Sequence, residues 1–283
     1  MTERRDTETR DGRIQVNDID VAYTTAGPPD AEPVLLIHGL GSSRHDWRLQ
    51  VPALARGHCV VAYDVRGHGD TDKPRSRYRM AQLADDAVGL ARALGLGPVH
   101  VVGLSLGGMI GFQMAVDHPD MVRSLAVVNS GPEVVARSVR DWWRLQLRLF
   151  LTWAFGPVAI GHLVGKRLFP RPEQEPLRRA FRDQVASNDR HAYLNMTRAI
   201  VGWSVADRLA RVTCPVLVVT GDRDYTPVAA KEAYVARLAD ARLVVVADSG
   251  HATPIDQPDA LNRELLAFLG GLTREGSTAS IAD

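Results

Sequence analysis

Residues 99–109, Val-His-Val-Val-Gly-Leu-Ser-Leu-Gly-Gly-Met, restrict this chain more than any other stretch. A β-branched apolar run, Val99, Val101 and Val102, stops at Gly103, and small helix-compatible residues follow at Gly107 and Gly108. Ser105 sits between them in G-x-S-x-G spacing, the pattern that turns a buried strand sharply into a helix and lifts a serine hydroxyl above the sheet. A side chain at Gly103 or Gly107 would collide across so tight a turn, and Gly108 lets the helix lie close to the strands. The same spacing also arises by chance in glycine-rich αβ connections, so the rest of the chain decides between the two.

That rest has an alternating βα rhythm. Ile14, Val16, Ile19, Val21 and Tyr23 alternate with polar residues around the turn-forming pair Asn17-Asp18, which predicts a hairpin. An apolar run at 34–37 ends in His38-Gly39-Leu40-Gly41. A helix holding Trp47, Leu49 and Leu54 follows, then a strand at 59–63, the turn Asp64-Val65-Arg66-Gly67-His68-Gly69, and a helix at 80–94 leading into the strand before Ser105. Further strands are expected at 125–128, 216–220 and 243–246, with a closing amphipathic helix at 258–269 that puts Leu261, Leu265 and Phe268 on one face. Short, fully apolar strands alternating with helices specify an α/β fold with a doubly wound parallel sheet.

The rhythm breaks at 131–207, a segment of helical pattern that reads as an inserted cap, or lid. Val135, Val139, Trp142, Leu149, Phe150 and Trp153 share one helical face, and Arg137, Arg140, Arg144 and Arg148 the other. The aromatic face is expected to form cap core and, secondarily, pocket wall, which makes Trp142, Trp143 and Phe150 the candidate substrate contacts. The arginine face reads as solvated surface, contact with anionic lipid being the less common use of such a stripe. The core domain is then 12–130 together with 208–271, and the polar ends at 1–11 and 272–283 are expected to be disordered.

Composition narrows the function. A net charge of +1 over 283 residues gives no global field for nucleic acid, which leaves a small molecule as the expected partner. Cys59 and Cys214 each open an apolar run and read as buried free thiols rather than as a disulfide or metal site. The charged start of the chain lacks a secretory pattern and no run approaches a membrane span, so a soluble, cytoplasmic protein is expected. No metal and no organic cofactor is implied: the third glycine of a dinucleotide loop is missing after Gly39-x-Gly41, where Arg44 stands, and neither a P-loop lysine nor H-E-x-x-H occurs.

A serine hydroxyl needs a base oriented by a carboxylate. His251 follows the run at 243–246 and the loop Ala247-Asp248-Ser249-Gly250, at the carboxyl end of a strand, where open α/β sheets bind their ligands. Gly221-Asp222-Arg223-Asp224 ends another strand and offers two carboxylates, Asp224 first and Asp222 second, the latter available to cap the turn or pair with an arginine. Charge developing on a carbonyl oxygen needs backbone donors, for which the N–H groups of Leu106 and Leu40 are placed.

Together, His38-Gly39-Leu40-Gly41, the 64–69 turn, Gly103-Leu104-Ser105-Leu106-Gly107, Gly221-Asp222-Arg223-Asp224 and Ser249-Gly250-His251 resemble the α/β-hydrolase superfamily, in its order Ser, Asp, His. The resemblance implies an eight-stranded, mostly parallel sheet with the cap inserted after the sixth strand. It also implies that Ser105 is nucleophile, His251 base and then acid, Asp224 its orienting partner, Leu40 and Leu106 the oxyanion amides, and that His38 and His68 are structural. A serine excludes the branches with an aspartate nucleophile. The expected activity is serine hydrolysis of an ester or lactone of a small to medium, fairly apolar substrate. A carbon–carbon hydrolase or cofactor-free perhydrolase with the same triad, and a ligand-binding receptor on the same scaffold, are the alternatives.

Overall fold

The computed structural model describes residues 8–279, with side chains through residue 272. Strands β1 (Thr9–Val16) and β2 (Ile19–Ala26) form the expected hairpin, in register from Thr9↔Ala26 to Val16↔Ile19, with Asn17 at φ 53° in its two-residue turn. The strand begins at Thr9, earlier than polarity predicted, because the ladder is made by backbone groups and asks nothing apolar of Arg10 or Asp11. The rest of the expected N-terminal tail, residues 1–7, lies outside the described residues.

Strands β3 (Pro33–Ile37), β4 (Cys59–Tyr63), β5 (Val99–Leu104), β6 (Val122–Val128), β7 (Val216–Gly221) and β8 (Ala241–Val246) complete an eight-stranded sheet of order β1-β2-β4-β3-β5-β6-β7-β8. β2 runs antiparallel to β1 and β4, and every other pairing is parallel. Helices α1 (Val51–Leu54), α2 (Met80–Ala93) and α3 (Leu106–Asp117) connect the earlier strands. Helices α4 (Val139–Leu168), α5 (Glu175–Ala186) and α6 (Arg190–Ile200) stand between β6 and β7, and α7 (Val228–Val235), α8 (Thr253–Asp256) and α9 (Pro258–Ala279) follow.

Successive side chains of β5 feed two cores. Val99 and Val101 pack with Leu83 and Ala87 of α2 and Ile110 of α3, whereas Val102 and Leu104 pack with Trp47, Leu54 and, from α9, Leu261 and Leu265. With both faces covered, the strand has no side to present to water: apolar residues occupy both faces, and its polar side chain, His100, is buried against Ser124 Oγ at 2.8 Å.

Three local expectations differ. The helix through Trp47 and Leu54 is split into a 3₁₀ turn, Arg44–Trp47, and α1. Pro52 has no N–H to donate back into a helix continuous from Trp47, but it is well accommodated in the first turn of a new one. The last helix runs on to Ala279 instead of closing near residue 269, since Gly270 and Gly271 weaken a helix by only about 1 kcal/mol each and no proline stops it. Of the expected C-terminal tail, residues 280–283 lie outside the described residues. Finally, α4 is long and apolar enough, by length and composition alone, to cross a membrane, although it is interrupted at Gly156 (φ 68°) before Pro157.

The loop after β4 is tied to the hairpin and to α2 by one buried cation. Arg66 Nε and Nη2 donate to Asp86 at 2.6 and 2.9 Å, and Nη2 also reaches Asp18 at 2.5 Å. Asn17 Nδ2 completes the shell of Asp86 at 2.9 Å.

Candidate active site

Ser105 occupies the bend between β5 and α3 with φ 52° and ψ −110°, a left-handed backbone that a residue with a Cβ adopts only where its surroundings compel it. The compulsion is visible: its N–H donates to Val128 O at 2.9 Å, its carbonyl accepts from Ser130 Oγ at 2.5 Å, and a Cβ on Gly107 would lie 2.0 Å from Ile37 O. Leu106 is the first residue of α3, so its N–H is one of the first-turn donors with no acceptor inside the helix. Leu40, in the loop after β3, lines the same cavities as Ser105. That loop is braced by His38, whose ring bonds Gly39 O at 2.7 Å and accepts from Val65 N–H at 3.0 Å. His68 packs edge-on against His38, and burial pushes its imidazole down to about 3, so it is neutral in the core.

The structure brings Asp224 and His251 together across the ends of β7 and β8. His251 Nδ1 donates to Asp224 Oδ1 at 2.8 Å, which leaves Nε2 with its lone pair free to accept. Asp224 Oδ2 accepts from Lys231 Nζ at 2.7 Å and Thr226 Oγ1 at 2.8 Å, so a fully buried carboxylate has all its neighbours as donors. Burial works to raise its pKa, but the bonds and charges of His251 and Lys231 outweigh that and hold the carboxyl well below the usual range. Lys231 is itself pulled down by burial against the attraction of Asp224. Asp222, the second carboxylate, does cap the neighbouring turn, accepting from Ser249 N–H at 3.2 Å.

Three residues that sequence reasoning did not single out, Tyr225, Asn129 and Lys231, complete the site together with Arg148, which the sequence placed on a solvated face and which instead lines the cavities. Tyr225 stacks on His251, ring centroids 4.1 Å apart, and its hydroxyl meets Nε2 at 2.9 Å. The Ser105 side chain also acts on this hydroxyl, favouring its ionised form, so the phenol stands between serine and histidine. Although 41% of the residue is exposed, the hydroxyl end lies inside the cavity, and that burial raises its pKa. Asn129, after β6, accepts from Gly221 N–H at 2.9 Å and donates to His251 O at 2.9 Å and Thr253 Oγ1 at 2.6 Å, fastening the aspartate and histidine loops to each other. Lys231 backs the carboxylate. Arg148 of α4 lines both cavities described next.

Two cavities meet at Leu40, Ser105, Arg148, Tyr225 and His251. One, of about 220 Å³, has apolar walls from Leu104, Leu168, Phe169, Phe181 and Ile255. The other, of about 620 Å³, extends past Met109, Val134 and Tyr234. Among the described residues, no group of three or more His, Cys, Asp or Glu side chains is arranged to hold a metal ion.

Trp142, Trp143 and Phe150 are in neither cavity. They are 48%, 63% and 54% exposed on the first half of α4, with Trp153 exposed beside them. The expectation that this face forms core and pocket wall is corrected: α4 packs against α5 and α6, Thr152 and Ile160 are buried, and the aromatic stripe is turned outward. Periodicity had identified the stripe but carries no information about which side the neighbouring helices take.

Residues 32–258, a span containing Ser105, Asp224 and His251, match the family described as alpha/beta hydrolase fold. The RutD protein of Caulobacter vibrioides NA1000, named for carbamate hydrolysis, is 34% identical over 271 residues, 92% of this chain and 99% of its own. The 3-oxoadipate enol-lactonase 2 of Acinetobacter baylyi is 24% identical over 260 residues, 90% of this chain and 95% of its own. The crystal structure of the enol-lactonase from Burkholderia xenovorans LB400 superposes with a TM-score of 0.85 at 26% identity, covering 92% of this chain and all of that one. This chain belongs to the α/β-hydrolase family, and it is a hydrolase.

Proposed function

We propose that the protein is a serine hydrolase that opens an ester or lactone through an acyl-enzyme on Ser105. The observation that carries this reading is the Asp224–His251 contact at 2.8 Å, with Nε2 directed through the Tyr225 phenol toward a serine held on a strained turn. Ser105 attacks the carbonyl carbon as its proton passes to His251 Nε2, and Asp224 stabilises the imidazolium that forms. The carbonyl oxygen becomes an oxyanion facing the amides of Leu40 and Leu106. Collapse of this intermediate breaks the bond to the leaving oxygen, which takes the proton from Nε2. Water then repeats the sequence on the acyl-enzyme, with His251 as base, and releases the acid and free Ser105.

The same chemistry acts on a carbamate, whose carbonyl also carries a leaving heteroatom, and the 34% identity to a protein named for carbamate hydrolysis favours that as the second reading. The free, buried thiols of Cys59 and Cys214 suit a reducing compartment, and we place the enzyme in the cytoplasm on that ground. Initial rates on p-nitrophenyl esters of increasing acyl length, beside lactones, carbamates and a cleavable diketone, test the assignment. An optimum at intermediate acyl length is expected from a walled cavity of about 220 Å³. Turnover of the diketone alone would contradict the bond assigned here, and turnover of none of the panel by folded protein would contradict the reading as a whole.

A further inference from the structure

Charged side chains around the two cavities are nearly all engaged. Glu133 and Arg137 pair with each other, Lys231 with Asp224, Arg237 donates to Ala206 O at 2.6 Å, Arg48 to His45 O at 3.3 Å, and Asp46 is bonded to Ser42. Arg148 differs. It lines both cavities beside Ser105 and His251, yet its guanidinium has no hydrogen bond or ion pair among the described residues. Its charge is nevertheless felt at two phenols of the site, Tyr193 and Tyr225, where it opposes the upward push of burial. A second cation stands close by, the Arg167 guanidinium lying 4.9 Å from the centre of the Tyr225 ring.

We propose that Arg148 receives a carboxylate of the substrate, so that the ester, lactone or carbamate this enzyme opens carries an anionic group at the far end from its scissile carbonyl. The inference rests on reading Ser105 as the reacting centre. A guanidinium without a protein partner, at the junction of two cavities, presents a planar fork of N–H donors that matches both oxygens of a carboxylate. Its surroundings reinforce that preference. Residues 131–207 carry twelve basic and seven acidic side chains in a chain whose net charge is only +1, so the positive field is concentrated on the segment that roofs the site and draws anions toward it. The apolar walls of the smaller cavity then accept the carbon chain between the two ends.

Two esters of matched length separate this from a merely solvated arginine: mono-p-nitrophenyl adipate, which ends in a carboxylate, and p-nitrophenyl hexanoate, which ends in a methyl group. The wild type is expected to prefer the adipate monoester in kcat/KM after correction for spontaneous hydrolysis, chiefly through KM, with a preference that shrinks as salt is added. Arg148→Met should lower that preference about ten- to a hundredfold, the usual range for a hydrogen-bonded charge, and Arg148→Lys should retain part of it. A wild type that favours hexanoate, or a preference unchanged in Arg148→Met, would overturn the proposal. Calorimetric titration of adipate into Ser105→Ala, with and without Arg148→Met, reads the same site without turnover: binding weakened by the second substitution supports it, and binding that is equal or absent in both overturns it. If neither ester is cleaved, the hydrolase reading fails separately, and the titration still decides the role of Arg148.

Discussion

Ser105→Ala is expected to lower kcat on whichever substrate the wild type turns over by about 10⁶-fold, and His251→Ala by about as much. The double variant should be scarcely worse than either, because nucleophile and base act as one unit: without the histidine the serine keeps its proton, and without the serine the histidine has none to take. Tyr225→Phe is the informative contrast, since the phenol stands between the two groups at 2.9 Å from Nε2. A loss below about tenfold means that the ring turns aside and Ser105 reaches the imidazole directly, whereas a loss of about 10²-fold or more, in the range of positioned proton transfer, means that the phenol carries the proton. Single substitutions of Ser105 and His251 whose losses multiplied in the double variant would contradict a shared role.

Arg66→Met should destabilise the fold by about 3–5 kcal/mol in chemical denaturation, the range for breaking a buried ion pair from one side. Asp86, almost wholly buried, would keep, among the described residues, the Asn17 amide as its remaining hydrogen-bond partner, and Asp18 would lose the cation that draws its carboxyl below the ordinary range. Adding Asp86→Leu should recover much of the loss, because the cost lies in the orphaned charge more than in the missing attraction. A change under about 1 kcal/mol in the single variant would show that water reaches Asp86 and that the pair is not buried in solution.

Elements defined by local chemistry were legible in the sequence. The Asn17-Asp18 hairpin, the apolar runs that became β3 to β8, and the strand-turn-helix around Ser105 each follow from residue type and spacing within about ten positions. The choice of Asp224 over Asp222 for the contact with His251 was legible too, since each loop is anchored at a strand end and Asp222 is drawn back to Ser249 by the turn itself. What could not be read depends on contacts between distant segments. Asn129 looks like an ordinary residue after a strand until Gly221 and Gly250–Thr253 are brought to it, and Lys231 and Tyr225 gain their meaning only once α7 and the Asp224 loop fold over the histidine. The aromatic stripe of α4 shows the same limit from the other side: its period was plain, but its direction is set by α5 and α6.

The central claim is that Ser105 becomes the acylated residue with His251 as its base. A fluorophosphonate, which traps an activated serine covalently, should modify the folded wild type at one site per chain, and peptide mass spectrometry should place the adduct on Ser105. The adduct should be lost in Ser105→Ala and strongly slowed in His251→Ala. An adduct on another residue, or folded, catalytically active protein left unmodified at Ser105, would contradict the account.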